Sequence, residues 1–106
     1  MKNLNIAAMM KQAQMMQSRM QEVQDEVGQK TVEASAGGGL VNVTANGKGE
    51  IVSIKIDQKA IEANDLEMLE DLVLAAVNEA HRRAEDMMKS ALSKVAGPLG
   101  GGFPFS

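Results

Sequence analysis

From Leu4 to Val27 the chain has no Gly or Pro and is rich in Met, Gln, Ala and Glu, residues that tolerate a helix. Ile6, Met9, Ala13, Met16, Met20, Val23 and Val27 recur at alternating spacings of 3 and 4. That is a heptad seam over three repeats, and Gly28 marks its end. At about 1.5 Å per residue the helix is roughly 35 Å long, more than a small core covers. The spacing therefore predicts a self-associating helix, with Met9, Met16, Met20 and Val23 at the contact between copies. The plainer alternative is an amphipathic helix lying on its own core.

After Gly28 the period changes. Thr31 to Ala36 reads as a strand and Gly37-Gly38-Gly39 as a turn. Leu40 to Asn46 alternates, with Val41, Val43 and Ala45 on one face and Asn42, Thr44 and Asn46 on the other. Asn46-Gly47-Lys48-Gly49 supplies residues that accept the positive φ of a tight hairpin. Glu50 to Asp57 then places Val52, Ile54 and Ile56 inward against Ser53, Lys55 and Asp57. Three short strands joined by glycine turns predict an antiparallel meander with one apolar face. Such a sheet needs a helix over that face and protection at its edges.

Lys59 to Ala63 reads as one helical turn. Asn64-Asp65-Leu66-Glu67 resembles a capping box with Asn64 at the cap, and a second long helix continues to about Val95 before Gly97-Pro98 stops it. Its apolar stripe is Leu69, Val73, Ala76, Ala80, Ala84, Met87, Ala91 and Val95. The first half, apolar on nearly every side, should cover the sheet. The second half narrows to Ala and Met, which suits close helix–helix contact. The expected class is α+β in the order α-β-β-β-α, a three-stranded antiparallel meander with two long helices, dimeric. Residues 1–98 form one domain and residues 99–106 a flexible Gly/Pro/Phe tail.

Composition narrows the chemistry. The 106 residues are 44% hydrophobic and 24% charged, as in a folded soluble domain. Only Phe103 and Phe105 are aromatic, so the core is aliphatic and thioether. The base-stacking platforms of single-strand binders are thus confined to the last few residues. Zero cysteines and one histidine, His81, exclude disulfides, thiolate catalysis and multi-histidine metal sites. No apolar run approaches the roughly 20 residues of a membrane span, and no signal-peptide pattern opens the chain. A cytoplasmic protein without membrane contact is expected.

An enzyme finds no support. No nucleophile elbow or phosphate-loop motif occurs, and neither glycine cluster opens a helix, as phosphate binding at backbone N–H groups requires. No cofactor, metal or small-molecule substrate is expected. Five of the nine methionines (Met9, Met10, Met15, Met16 and Met20) crowd the first helix. Without His or Cys co-ligands they read as adaptable packing rather than a copper site.

Charge is the most informative feature. The formal total is −3, yet residues 60–80 hold six acids (Glu62, Asp65, Glu67, Glu70, Asp71 and Glu79) and no base. The later segment carries Arg82, Arg83, Lys89 and Lys94 against Glu85 and Asp86. Residues 1–30 carry Lys2, Lys11, Arg19 and Lys30 against Glu22, Asp25 and Glu26. A polyanion such as DNA could be gripped by repeating these faces across a dimer. The competing reading is ordinary helix salt bridging, with Arg82 paired to Glu85 and Asp86, and both acids to Lys89.

The segments Met10-Lys-Gln-Ala-Gln-Met-Met-Gln, Gly38-Gly39-Leu40-Val41-Asn42-Val43-Thr44, Asn46-Gly47 and Ile54-Lys55-Ile56-Asp57 resemble the YbaB/EbfC family of bacterial nucleoid-associated proteins. Glu67-Met68-Leu69-Glu70-Asp71-Leu72 and the later Ala-Val-Asn-Glu-Ala come next in the same order, so the similarity spans nearly the full length. The resemblance implies a homodimer whose sheets join the subunits and whose helices project. It also implies binding of double-stranded DNA, altered DNA conformation, nucleoid organisation and gene regulation. By position it carries the DNA contacts onto Lys11 and Arg19 of the first helix and Arg82, Arg83 and Lys89 of the last. Lys2, Lys30 and Lys94 are further candidates. The rival reading is a protein–protein adaptor whose Met-rich seam accepts a partner helix.

Overall fold

The computed structural model describes residues 5–95. Its elements are α1 (Ile6–Gly28), β1 (Thr31–Ala36), β2 (Val41–Asn46), β3 (Ile51–Ile56), α2 (Gln58–Glu62) and α3 (Leu66–Val95). The α-β-β-β-α order stands, with α2 as the expected single turn. Lys2, the Gly97-Pro98 stop and the tail 99–106 lie outside the described residues. Asn5 caps α1 by accepting a hydrogen bond from the Ala8 N–H at 3.1 Å, which satisfies one amide the first turn leaves without a carbonyl.

The sheet is an antiparallel meander in the order β1-β2-β3. Val32, Ala34 and Ala36 stand opposite Ala45, Val43 and Val41, so the two strands present one apolar face. α3 lies across it. Ala76, Ala80 and Ala84 recur every fourth residue, one stripe of the helix, and all are fully buried. Along this stripe the helix offers only methyl groups to the sheet, so the two backbones sit close, while Leu69, Leu72, Val73 and Val77 pack around its first half; the largest fully buried side chains are Val41 and Val43. The core is thin.

α3 covers β1 and β2 but scarcely touches β3. Ile54 and Ile56 pair with Val43 and Val41 and so share the core face, yet they remain 46% and 41% exposed. Val52 departs from the expected inward position. A register shift at Thr44/Ala45 sets Ile51, not Val52, opposite Ala45. Ile51 packs against the core and Val52 is left 54% exposed, because one extra residue in a strand reverses the alternation.

The start of α3 also differs by one residue. Asp65, not Asn64, is the cap, accepting from the Met68 N–H at 3.0 Å. Asn64 has φ 54 and closes the preceding turn by donating its N–H to the Ile61 carbonyl. Asn tolerates this left-handed conformation better than other side-chain-bearing residues do.

α1 packs along the second half of α3. Val23 and Val27 are buried within the protomer, and Met16 and Met20 are half-buried. Ile6, Met9, Met10 and Met15 are about 60% exposed. The heptad seam is therefore used inside the chain over its C-terminal half and left open over its N-terminal half. The projecting helices give extents of 75 × 27 × 15 Å and a radius of gyration of 20.4 Å. A compact domain of this length has about 13 Å.

The β2–β3 turn anchors α1. Gly49 has φ 88, but Gly47 serves another purpose: a Cβ there would lie 2.0 Å from the Val27 carbonyl oxygen. The Gly47 N–H also donates to the Lys30 carbonyl at 2.9 Å. Over-packing of this kind costs about 1–3 kcal/mol. Gly47→Ala should lower Tm by at least about 4 °C in a thermal melt followed by circular dichroism. An unchanged melt would show that the turn can withdraw from α1.

Candidate nucleic-acid interface

Two helices of opposite direction form the projecting arm. His81 of α3 lies beside Gly49 of the hairpin, and Lys48 crosses Gly28 at the end of α1. Val95, at the other end of α3, borders a groove with Met15, Met16 and Arg19 of α1. Bases are brought together at two places on this arm.

The first is an open groove of about 660 Å³ that contains both Lys11 and Arg19, with Val95 at its α3 edge. Arg19 contacts Glu22 at 3.3 Å, with both side chains more than 60% exposed. Exposed pairs of this kind contribute little to stability, so the guanidinium is readily released to another anion. The second, of about 620 Å³, is lined by Gly47, Lys48, Gly49, Glu85, Met88, Lys89 and Leu92. Glu85, Met88, Leu92 and Val95 recur at spacings of 3, 4 and 3 on α3, so both grooves border one stripe of that helix. Among the described residues, Lys11, Lys48 and Lys89 form no ion pair.

Sequence reasoning marks Lys48 only as a turn residue and misses its place here. Its position beside Lys89 depends on the hairpin folding back onto the arm. Its aliphatic stem passes over the C-terminal end of α1, since a Cβ on Gly28 would meet Lys48 Cε at 2.9 Å. A cation there also complements the negative end of the helix dipole.

Arg82 and Arg83 are held differently. Arg82 donates to Glu79 through Nε at 3.1 Å and to Asp86 through Nη1 at 3.1 Å. Arg83 donates through Nε to Glu79 at 2.9 Å, and its Nη1 reaches the Glu33 carbonyl of β1 at 2.7 Å. Arg83 thereby fastens α3 to the sheet. Of the partners expected for Arg82, Asp86 is present, and Glu79, on the preceding turn, takes the place of Glu85. Hydrogen bonding from Arg82, and then from Arg83, lowers the Glu79 carboxyl to about 2, and the same bond raises the Arg82 guanidinium.

The chain belongs to the YbaB/EbfC DNA-binding family, which it matches over residues 1–99. It is 54% identical over 95 residues to a nucleoid-associated protein of Thermoanaerobacter pseudethanolicus, covering 90% of this chain and 86% of that one. A nucleoid-associated protein of Acetivibrio thermocellus is 53% identical over 97 residues, covering 92% and 86%. An uncharacterized protein from Helicobacter pylori shares the fold, with a TM-score of 0.68 at 24% identity, over 77% of this chain and 86% of that one.

The Glu79 carboxylate is favoured by folding, because its value drops from an ordinary 4.5 to about 2. Its stabilisation is complete above 4.5 and disappears as pH falls toward 2. Glu79→Gln should therefore be less stable than the parent at neutral pH, and the difference should close between pH 4.5 and about 2. Urea unfolding across that range measures it, and a difference independent of pH would remove the carboxylate charge as the cause.

Proposed function

We propose that the protein is a homodimer that binds double-stranded DNA through its phosphates, alters DNA conformation and so contributes to nucleoid organisation and gene regulation. It acts without catalysis, in the cytoplasmic nucleoid. The observation that carries the reading is the alignment of Lys11, Arg19, Lys48 and Lys89 along one two-helix arm, in a chain of the YbaB/EbfC DNA-binding family. The nucleoid-associated names of relatives above 50% identity support it.

Lys11, Lys48 and Lys89 would contact phosphate directly. Arg19 would exchange Glu22 for phosphate. Arg82 and Arg83 would contribute more weakly, because each must give up Glu79 first. Phosphate contacts position a protein without reading bases, so sequence preference would come from DNA shape.

Self-association is supported by the uncovered apolar face. Ile56, Leu66, Leu69, Val73, Leu74 and Val77 line a hollow of about 450 Å³ beside β3. Leu66 and Leu74, 70% and 60% exposed, border this same hollow, and a contiguous apolar patch of this kind marks an interaction surface. A second copy on this face would extend the thin core across a twofold axis and leave the basic arms outside.

Binding of a duplex should weaken steeply with salt, and Lys89→Ala should reduce the slope of log K against log salt by about 0.9. Arg83→Ala should instead lower stability more than slope. Fluorescence anisotropy at several salt concentrations separates these outcomes, and a slope unchanged by Lys11, Lys48 and Lys89 substitutions would remove the arm from the interface. Light scattering should give twice the 11.3 kDa chain mass. Leu74→Glu should give the single mass with helical circular dichroism retained, whereas a variant that stays dimeric would place the contact elsewhere.

A further inference from the structure

Met15 stands apart from the other methionines of α1. At about 100° per residue it lies about 110° around the helix from the stripe of Met16, Met20, Val23 and Val27 that packs toward α3. It therefore projects from the broad side of the two-helix arm, and it is 62% exposed. Its neighbours one turn away in each direction are Lys11 and Arg19, and all three line the same open groove. Met88 and Leu92, which border the second basic groove, are by contrast half-buried. Met15 is thus a long apolar side chain standing out from a basic surface, with a cation on either side of it.

We propose that Met15 is a wedge: on the bound duplex its side chain enters the minor groove and partly unstacks one base-pair step, while Lys11 and Arg19 hold phosphates of the two strands. This rests on the DNA-binding reading above and supplies the means by which the duplex is deformed. Size decides the groove. One helix with its side chains is about 10–12 Å across, and packed helix axes lie about 8–10 Å apart. The broad side of the arm therefore measures about 20 Å and cannot sink into a major groove about 12 Å wide. It lies on the phosphate rims, and only a long side chain standing out from it reaches the bases. Lys11 and Arg19 are eight residues apart, about 12 Å along α1, and straddle a minor groove about 6 Å wide with Met15 midway. Methionine is among the apolar side chains that architectural proteins insert between base steps, and its unbranched thioether adapts to an irregular gap. The flanking cations supply the attraction that offsets the lost stacking, Arg19 by exchanging the exposed Glu22 for phosphate. The wedge favours pyrimidine–purine steps, which unstack most easily, so a preference arises without hydrogen bonds to bases.

The thioether methyl reports on its own surroundings. With carbon-13-labelled methionine methyls and a duplex carrying 2-aminopurine at a central TA step, the Met15 signal should move upfield on binding, under the ring current of the bases. The 2-aminopurine fluorescence should rise, and energy transfer between the duplex ends should report a bend. Met15→Ala should lose the rise and the bend, with only a few-fold loss of affinity and an unchanged salt slope, because no charge is removed. Met15→Leu should restore both, and Met10→Ala, about 140° away on α1, should leave both as in the parent. A Met15 methyl that stays in place, or a bend that survives Met15→Ala, would overturn the wedge while salt-dependent binding through Lys89 stands. An equal loss in Met10→Ala would overturn it too. So would a changed mass of Met15→Ala in light scattering, which would assign the side chain to a contact between copies. A duplex left unbound by the parent at low salt would instead overturn the DNA-binding reading, and the wedge with it.

Discussion

The close contact between Ala76, Ala80, Ala84 and the valines of β2 governs the rest of the molecule. Methyl-sized side chains let α3 approach the sheet closely, and a helix so seated covers about two strands. Ile54, Ile56 and the outer side of α3 are left bare as a consequence. The same line of alanines carries α3 past the sheet to meet α1, which produces the arm. A bulkier helix face would have filled the protomer's own core, lifted the helix and weakened both the arm and the apolar face.

A second constraint sits where α3 leaves the sheet. Glu79 collects Arg82 and Arg83, and Arg83 also reaches β1, so the arm is tied to the body at its root. This gives the basic residues two grades. Those at the root serve geometry first, whereas Lys48, Lys89, Lys11 and Arg19 further out are lightly held or free of ion pairs among the described residues. Charge on the arm is thus separated into a structural set and a set available to an anion.

Much of this is legible in the sequence, and the parts that are not have identifiable causes. Period defines the class: alternation at Val41, Val43 and Ala45 and four-residue spacing at Ala76, Ala80 and Ala84 describe sheet and helix faces whatever packs on them. Spacing does not name the partner of a stripe, so the α1 seam can be read as self-associating although α3 occupies it from Met16 to Val27. A β-bulge adds a residue without any compositional mark, which is why Ile51 and Val52 exchange roles. Adjacent Asn64 and Asp65 are both good caps, and only the left-handed turn at Asn64 decides between them. Lys48 joins the site only because the hairpin lies on the arm, a tertiary fact with no local signature.

The acidic balance of the chain is compatible with a polyanionic partner because of where the charges stand. Glu62, Asp65, Glu67, Glu70 and Asp71 lie around α2 and the first turns of α3. From Glu70 to Lys89 is 19 residues, or about 28 Å along the helix. At physiological salt the screening length is about 8 Å, so that acidic end exerts little repulsion on a phosphate at Lys89. Net charge therefore describes solubility here, while the proposed phosphate contacts depend on local charge along the arm. The acids that do matter to a phosphate are Glu22, Glu79, Glu85 and Asp86, which stand among the bases themselves. Three of these four already hold a guanidinium. An anion approaching the arm must compete with them, a condition that favours many weak, exchangeable phosphate contacts over a few tight ones.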